Sequence, residues 1–283
     1  MLKTRTGEFA IGFRECFDDS ISWAKENGFG VIDLQGLDLD KIYRARSEGL
    51  RIGSLDLPNP QGMITADREK RKVITEQSSE FIRASSAGNP TNYFVVAIPE
   101  DPSLERKENF EYMVEGFGGL KSALEESDSH LVIEGWPGPG VVCSTTEVFR
   151  AFFNRCPNSC FGINYDPSHL IRLGIDPLRF LVEFSDRVFH VHAKDTEIQN
   201  EGVYEYGWES PATFAEKIRY GGYTWRYTVP GYGDMRWSEG FRILIESGYR
   251  GAVSIEMEDA NFSESTELIQ EGLRLGGQFL TGC

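Results

Sequence analysis

Short apolar runs alternate with longer amphipathic stretches along the whole chain. The runs are 9–13 (FAIGF), 30–34 (GVIDL), 51–57 (RIGSLDL), 93–98 (YFVVAI), 131–136, 161–166, 188–194 and 252–257. Their length and their β-branched and aromatic content predict strands. Helical periodicity predicts helices over 18–28, 39–49, 66–86, 106–127, 145–155, 177–184, 238–248 and 264–280. Strand–helix alternation implies a parallel sheet with crossover helices. Eight such pairs is the number that closes a (β/α)8 TIM barrel, so an α/β barrel is the expected fold.

Punctuation supports these boundaries. Gly28, Gly49, Gly248 and Gly276 read as helix C-terminal stops, and Pro177 suits a first helical position. No shift in composition marks a linker, so residues 1–283 are expected to form a single domain. One stretch breaks the alternation. Residues 196–237 are long, aromatic and glycine-rich, and they follow the seventh predicted strand. Loops of that length usually serve binding, so a lid-like loop is expected there, over the face where the strands end.

Charge narrows the partners. Lys and Arg number 29 against 44 Asp and Glu, giving a formal net charge of −15. Nucleic acid needs a basic face, which argues against it as a partner, and an anionic membrane surface is disfavoured too. No run of about 20 apolar residues is present, so no transmembrane helix is expected, and the N-terminal stretch lacks the apolar segment of a signal peptide. The five cysteines (Cys16, Cys143, Cys156, Cys160, Cys283) are an odd set without zinc-ribbon spacing. They fit free thiols in a reducing, cytoplasmic setting.

Four predicted strands end on a metal-capable side chain: Glu134 after LVI, Asp166 after GINY, His192 within VFHVHAKD, and Glu256 after AVSI. Each has a plainer reading. Glu134 could be a rim carboxylate, Asp166 a helix N-cap, His192 a core histidine (His190 lies two residues away, facing the same side) and Glu256 part of a solvated acidic edge. Together they are more specific, because parallel barrel strands deliver their C-terminal ends to one face. Three carboxylates and one imidazole suit one divalent cation, manganese (Mn2+) first, with Mg2+ or Co2+ as alternatives.

IEGWPG, NYDPSHLIRLGIDP, VFHVHAKD, VPGYGDMRW and GYRGAVSIEMED resemble the xylose isomerase-like barrel superfamily, in its sugar phosphate isomerase/epimerase branch. The resemblance runs from about Ile11 to Phe262. It implies metal ligation by Glu134, Asp166, His192 and Glu256, and a substrate contact from His169 of the Asp-x-x-His motif. Two positions depart from the ketose 3-epimerases of that superfamily. Their arginine six residues beyond the metal histidine is here Ile198, and their glutamate six beyond the first metal glutamate is Gly140. Lys194, Asp195 and Arg226 are candidates to replace those substrate contacts.

These parts imply a metal-dependent isomerase or epimerase of a sugar or sugar phosphate, working by enediolate proton transfer, with Glu134 and Glu256 as acid/base partners. Trp136 is a candidate stacking surface for a sugar ring. Arg14, Gln35, Asp56 and Glu100 are further strand-end polar groups. The same constellation would serve a lyase or dehydratase on a keto-sugar or 3-keto-glycoside. A silent sugar-binding barrel is a third reading, opposed by the complete four-residue set, and a DNA-repair endonuclease is opposed by the acidity. The expected partner is a small carbohydrate. A homo-oligomer is left open.

Overall fold

The computed structural model describes residues 1–283. Its strands are β1 (Ala10–Arg14), β2 (Val31–Leu34), β3 (Arg51–Asp56), β4 (Asn92–Val96), β5 (His130–Glu134), β6 (Phe161–Tyr165), β7 (Val188–Ala193), β8 (Asp195–Ile198), β9 (Trp225–Thr228) and β10 (Ala252–Ile255). All but β8 and β9 close into one parallel barrel, in chain order around the ring. The eight apolar runs are the eight barrel strands. Strands of such a barrel are covered on both faces, which is why they read as near-continuous apolar runs. All residues of β2, β6 and β10 are buried.

The chain groups into two compact units. The first comprises Met1–Ile32, Asp166–Ser185 and Val191–Cys283. Its core includes an aromatic nest in which the Phe13 ring packs edge-on to Trp23 and Phe29, with centroids 5.5 and 5.1 Å away. A fully buried phenylalanine contributes about 1.5–3 kcal/mol, so the nest is a large apolar anchor for β1. Within this unit β1 pairs with β10 (Phe13 opposite Ile255), and β10 pairs with the end of β7 (Ser254 opposite His192).

The second unit comprises Asp33–Tyr165 and Asp186–His190. Here β4, β5 and β6 run in register, with Val96 opposite Glu134 and Glu134 opposite Asn164. Phe117, Phe152 and Phe161 form its helix-to-strand packing, with centroids 6.5 and 5.8 Å from Phe152.

Three local expectations need correction. The helix predicted over 106–127 is two helices, Arg106–Gly118 and Lys121–Glu126. The Gly118–Gly119 pair falls at the break, and each glycine weakens a helix by about 1 kcal/mol. Gly276 does not end a helix but lies inside Thr266–Thr281. A Cβ there would come within 3.1 Å of Ile255 and 3.2 Å of Val229, so the glycine is a close-packing position. By contrast Gly28, Gly49 and Gly248 have φ of 78°, 83° and 84°, the left-handed geometry of a helix stop. Finally, 196–237 is not an irregular loop. It carries the antiparallel β8–β9 hairpin and a helix over Asn200–Tyr206. Ile198 pairs with Trp225, and Thr196 with Tyr227.

Candidate metal centre and its surroundings

Asp166 has two roles, one per oxygen. It is the residue after β6 and the N-cap of the helix Pro167–Arg172. Its Oδ1 accepts the Ser168 backbone N–H at 2.9 Å. Its buried Oδ2 makes no hydrogen bond, although Lys194 Nζ lies 3.3 Å and His169 Nε2 3.4 Å away. The helix cap and the metal ligand are therefore compatible readings of this residue. The cap fixes the carboxylate plane and leaves its second oxygen for another partner.

His192, on β7, and Glu256, directly after β10, face the same locality. His192 Nδ1 lies 3.6 Å from Glu256 Oε2. One potential ligand atom from each of Asp166, His192 and Glu256 lies within 4.8 Å of the others. Arg14 adds a cation 3.5 Å from Glu256 Oε1. Lys194 is buried at the centre of this acidic group. Its ammonium donates to Glu256, and to Glu258 at 2.8 Å. Burial works to lower the Lys194 pKa, but Asp166, Glu256 and Glu258 outweigh it and hold the group well above its ordinary value. Burial likewise pushes the Glu256 carboxyl up, and Lys194, His192 and Arg14 overcome that and hold it well below the usual carboxylate range. At neutral pH Glu256 is thus an ionised carboxylate beside a protonated lysine.

His169 sits one turn into the helix capped by Asp166. Its Nδ1 is 2.7 Å from the Tyr227 hydroxyl on β9. Arg172 donates to the same hydroxyl at 2.6 Å, and its guanidinium lies 4.1 Å over the Trp225 ring. Lys194 lies 4.6 Å over the Tyr227 ring. The hairpin within 196–237 therefore packs on the Asp-x-x-His helix, through a side chain that the strand pattern did not single out. Tyr227, Arg172 and Glu258 are the neighbours sequence reading missed. The only signal for Tyr227 was the aromatic density of its segment.

Glu134 ends β5, buried, and its Oε1 accepts the Asn164 amide at 2.9 Å. Trp136 lies two residues on, half-buried, with its indole against Gly138, where any Cβ would fall 1.9 Å from the ring. His190 differs from His192. It is fully buried and pairs with Asp33 at 2.7 Å through Nε2.

Asp195, expected as a substrate contact, is engaged in structural hydrogen bonds. Its Oδ1 accepts the backbone N–H of Thr196 and Met235, and its Oδ2 accepts Gly231 N–H and the Trp237 indole N–H. Both oxygens are committed, and the side chain is fully buried. Arg226 is held by Glu197 at 2.6 Å and by Asp259 at 3.6 Å, which commits its charge within the hairpin region. Glu100 pairs with Lys70 on an exposed surface.

Hard carboxylate oxygens with one imidazole match the preference of divalent cations, and the Asp166 oxygen without a hydrogen bond is the feature a ligand explains. Residues 21–279 match the family described as the xylose isomerase-like TIM barrel. The chain belongs to this family. Among curated proteins it is similar to an inosose dehydratase of Clostridium tetani, 27% identical over 189 residues. That match covers 66% of this chain and 60% of the relative, so it spans well under the relative's full length. Among solved structures, the IolI protein with a bound zinc atom superposes with a TM-score of 0.70 at 14% identity, covering 96% of this chain and 98% of that one. A 3-keto-D-glucoside 4-epimerase from E. coli gives 0.69 at 14%, covering 97% and 100%. At such identities the structures establish the shared fold.

Proposed function

We propose that this chain is a divalent-metal-dependent enzyme that removes a proton beside a carbonyl of a cyclic polyol or sugar, and that loss of water is its reaction. The observation that carries this reading is the juxtaposition of a depressed-pKa carboxylate, Glu256, with protonated Lys194 and with His169, around the Asp166 oxygen. Glu134 is taken as the fourth ligand. It is the last residue of β5 and its carboxylate is buried. A bound cation would supply Lewis-acid polarisation of the substrate carbonyl.

The chain's own residues supply the proton traffic. A glutamate, Glu134 or Glu256, takes the proton from carbon next to the carbonyl. For elimination, the adjacent C–O bond breaks, a C=C bond forms, and the departing hydroxyl takes a proton to leave as water. Lys194, protonated among the carboxylates, is placed as that donor. The dehydratase outcome is favoured by the curated relatives, several of them inosose dehydratases, and by Ile198 and Gly140 standing where ketose epimerases carry charged contacts. Isomerisation or epimerisation is the second reading, supported by a pair of glutamates among the proposed ligands and by structural neighbours that are epimerases.

The test is NMR in D2O with added Mn2+ or Zn2+, over keto-inositols, 3-keto-glycosides and simple ketoses. Elimination appears as loss of the leaving carbon's proton pattern and growth of an unsaturated product. Epimerisation appears as deuterium incorporation without water loss. Absence of both across the panel, with metal bound, would overturn the reading.

A further inference from the structure

The His169 ring contacts Asp166 on one side and Tyr227 on the other, and the Tyr227 contact bears directly on the tautomer it adopts. On the Nε2 side stands a carboxylate oxygen, Asp166 Oδ2, at 3.4 Å. On the Nδ1 side stands the Tyr227 hydroxyl at 2.7 Å, which can donate or accept. That hydroxyl already accepts from Arg172 at 2.6 Å, a donor with no other role to offer. Its single proton is then available for His169 Nδ1. Burial raises the Tyr227 pKa far above the neutral range despite Lys194 and Arg172, so the hydroxyl keeps that proton.

We infer that Tyr227 is a positioning residue: held by Arg172, its hydroxyl donates to His169 Nδ1 and so keeps the imidazole proton on Nε2, facing the Asp166 side of the centre. The consequence rests on the function proposed above. A neutral His169 would meet substrate there as a hydrogen-bond donor, never as an acceptor. Tyr227 comes from the β8–β9 hairpin, and His169 and Arg172 from the helix capped by Asp166. The hairpin thus sets the protonation pattern of the centre as well as packing on it.

The experiment reads the ring directly. The chain has four histidines, His130, His169, His190 and His192, so 15N-histidine labelling gives a resolvable long-range 1H–15N spectrum. His169→Gln assigns the His169 signals by their loss. In metal-free wild-type protein at neutral pH, His169 is expected with a protonated Nε2 and an unprotonated Nδ1 that accepts a hydrogen bond. In Tyr227→Phe, which keeps the ring under Lys194, the Nδ1 resonance is expected to move downfield, towards an unbonded nitrogen, while Nε2 stays protonated or begins to exchange tautomers. A wild-type His169 protonated at Nδ1 would overturn the inference, and so would an Nδ1 resonance that ignores Tyr227→Phe. Because the spectrum is taken without metal or substrate, this result stands apart from the turnover assay. A protein with the expected tautomer but no activity on any keto-polyol would refute the proposed reaction and leave the tautomer assignment in place.

Discussion

Asp166 and Asp195 are both buried aspartates directly beyond a barrel strand or its follow-on residue, and both lie beside the candidate centre. They differ in what their oxygens touch. Asp195 spends all its acceptor capacity on four N–H donors, which pin the start of the hairpin to residues 231–237. Asp166 spends one oxygen on a helix cap and keeps the other, with lysine and histidine beyond hydrogen-bonding geometry. The lesson is that burial of a carboxylate does not identify a ligand. An oxygen left without a hydrogen bond after the local N–H donors are counted marks a candidate, because a buried carboxylate oxygen is costly unless a nearby charge or a ligand satisfies it.

The largest effect should come from removing the base while keeping the shape. Glu134→Gln and Glu256→Gln are each expected to lower turnover by about 10²–10⁴-fold, the usual cost of a lost general base, with little change in circular dichroism. Near-normal turnover in both, with metal bound, would make the two glutamates structural ligands only. Asp195→Asn should act on the fold instead. An amide keeps one acceptor and turns an NH2 towards N–H donors, so unfolding free energy is expected to fall by roughly 3 kcal/mol, measured by urea denaturation. Asp166→Asn, in contrast, retains an oxygen for Ser168 N–H. It should cost under about 1 kcal/mol of stability while abolishing metal uptake by elemental analysis. If the two asparagine variants behave alike, the distinction between the two aspartates is lost.

The smallest effect is a pH dependence. Glu256 has its folded pKa held below the unfolded carboxylate value of about 4.3, so its contribution is fully present above that pH and is lost as pH falls through the folded value. Lys194 is raised above an unfolded value of about 10.4, so its share is intact below that pH and is lost only as pH rises through the folded value. Metal-free wild-type protein should therefore lose stability below about pH 4, and Lys194→Met should flatten that acid slope, since it removes the main cation depressing Glu256. An unchanged slope in Lys194→Met denaturation curves between pH 3 and 7 would show that the lysine does not set the ionisation of Glu256.

Much of this was legible in the sequence because it depends on short-range rules. The strand-length apolar runs located all eight barrel strands, since parallel strands covered on both faces must be apolar throughout. Candidate ligands could be named for the same reason. A charged side chain ending such a run stands at the one edge of the barrel where polarity is tolerated. Gly28, Gly49 and Gly248 announced helix stops through their left-handed backbone. Gly276 misled, because a glycine within a helix and one after it look alike until the neighbour that needs the space, Ile255, is in place.

What only the tertiary structure decided was the allocation of hydrogen bonds. The sequence determined that Asp166, His169, His192, Lys194, Asp195 and Glu256 would gather near strand ends. It did not determine that Asp195 would be consumed by Gly231, Met235 and Trp237, or that Tyr227, 58 residues after His169, would meet its ring. The apolar pattern is written locally, as a period of two or of 3.6 residues. The partner of a buried polar atom is fixed by which distant backbone N–H or hydroxyl the folded chain brings to within about 3 Å, and no local period encodes that.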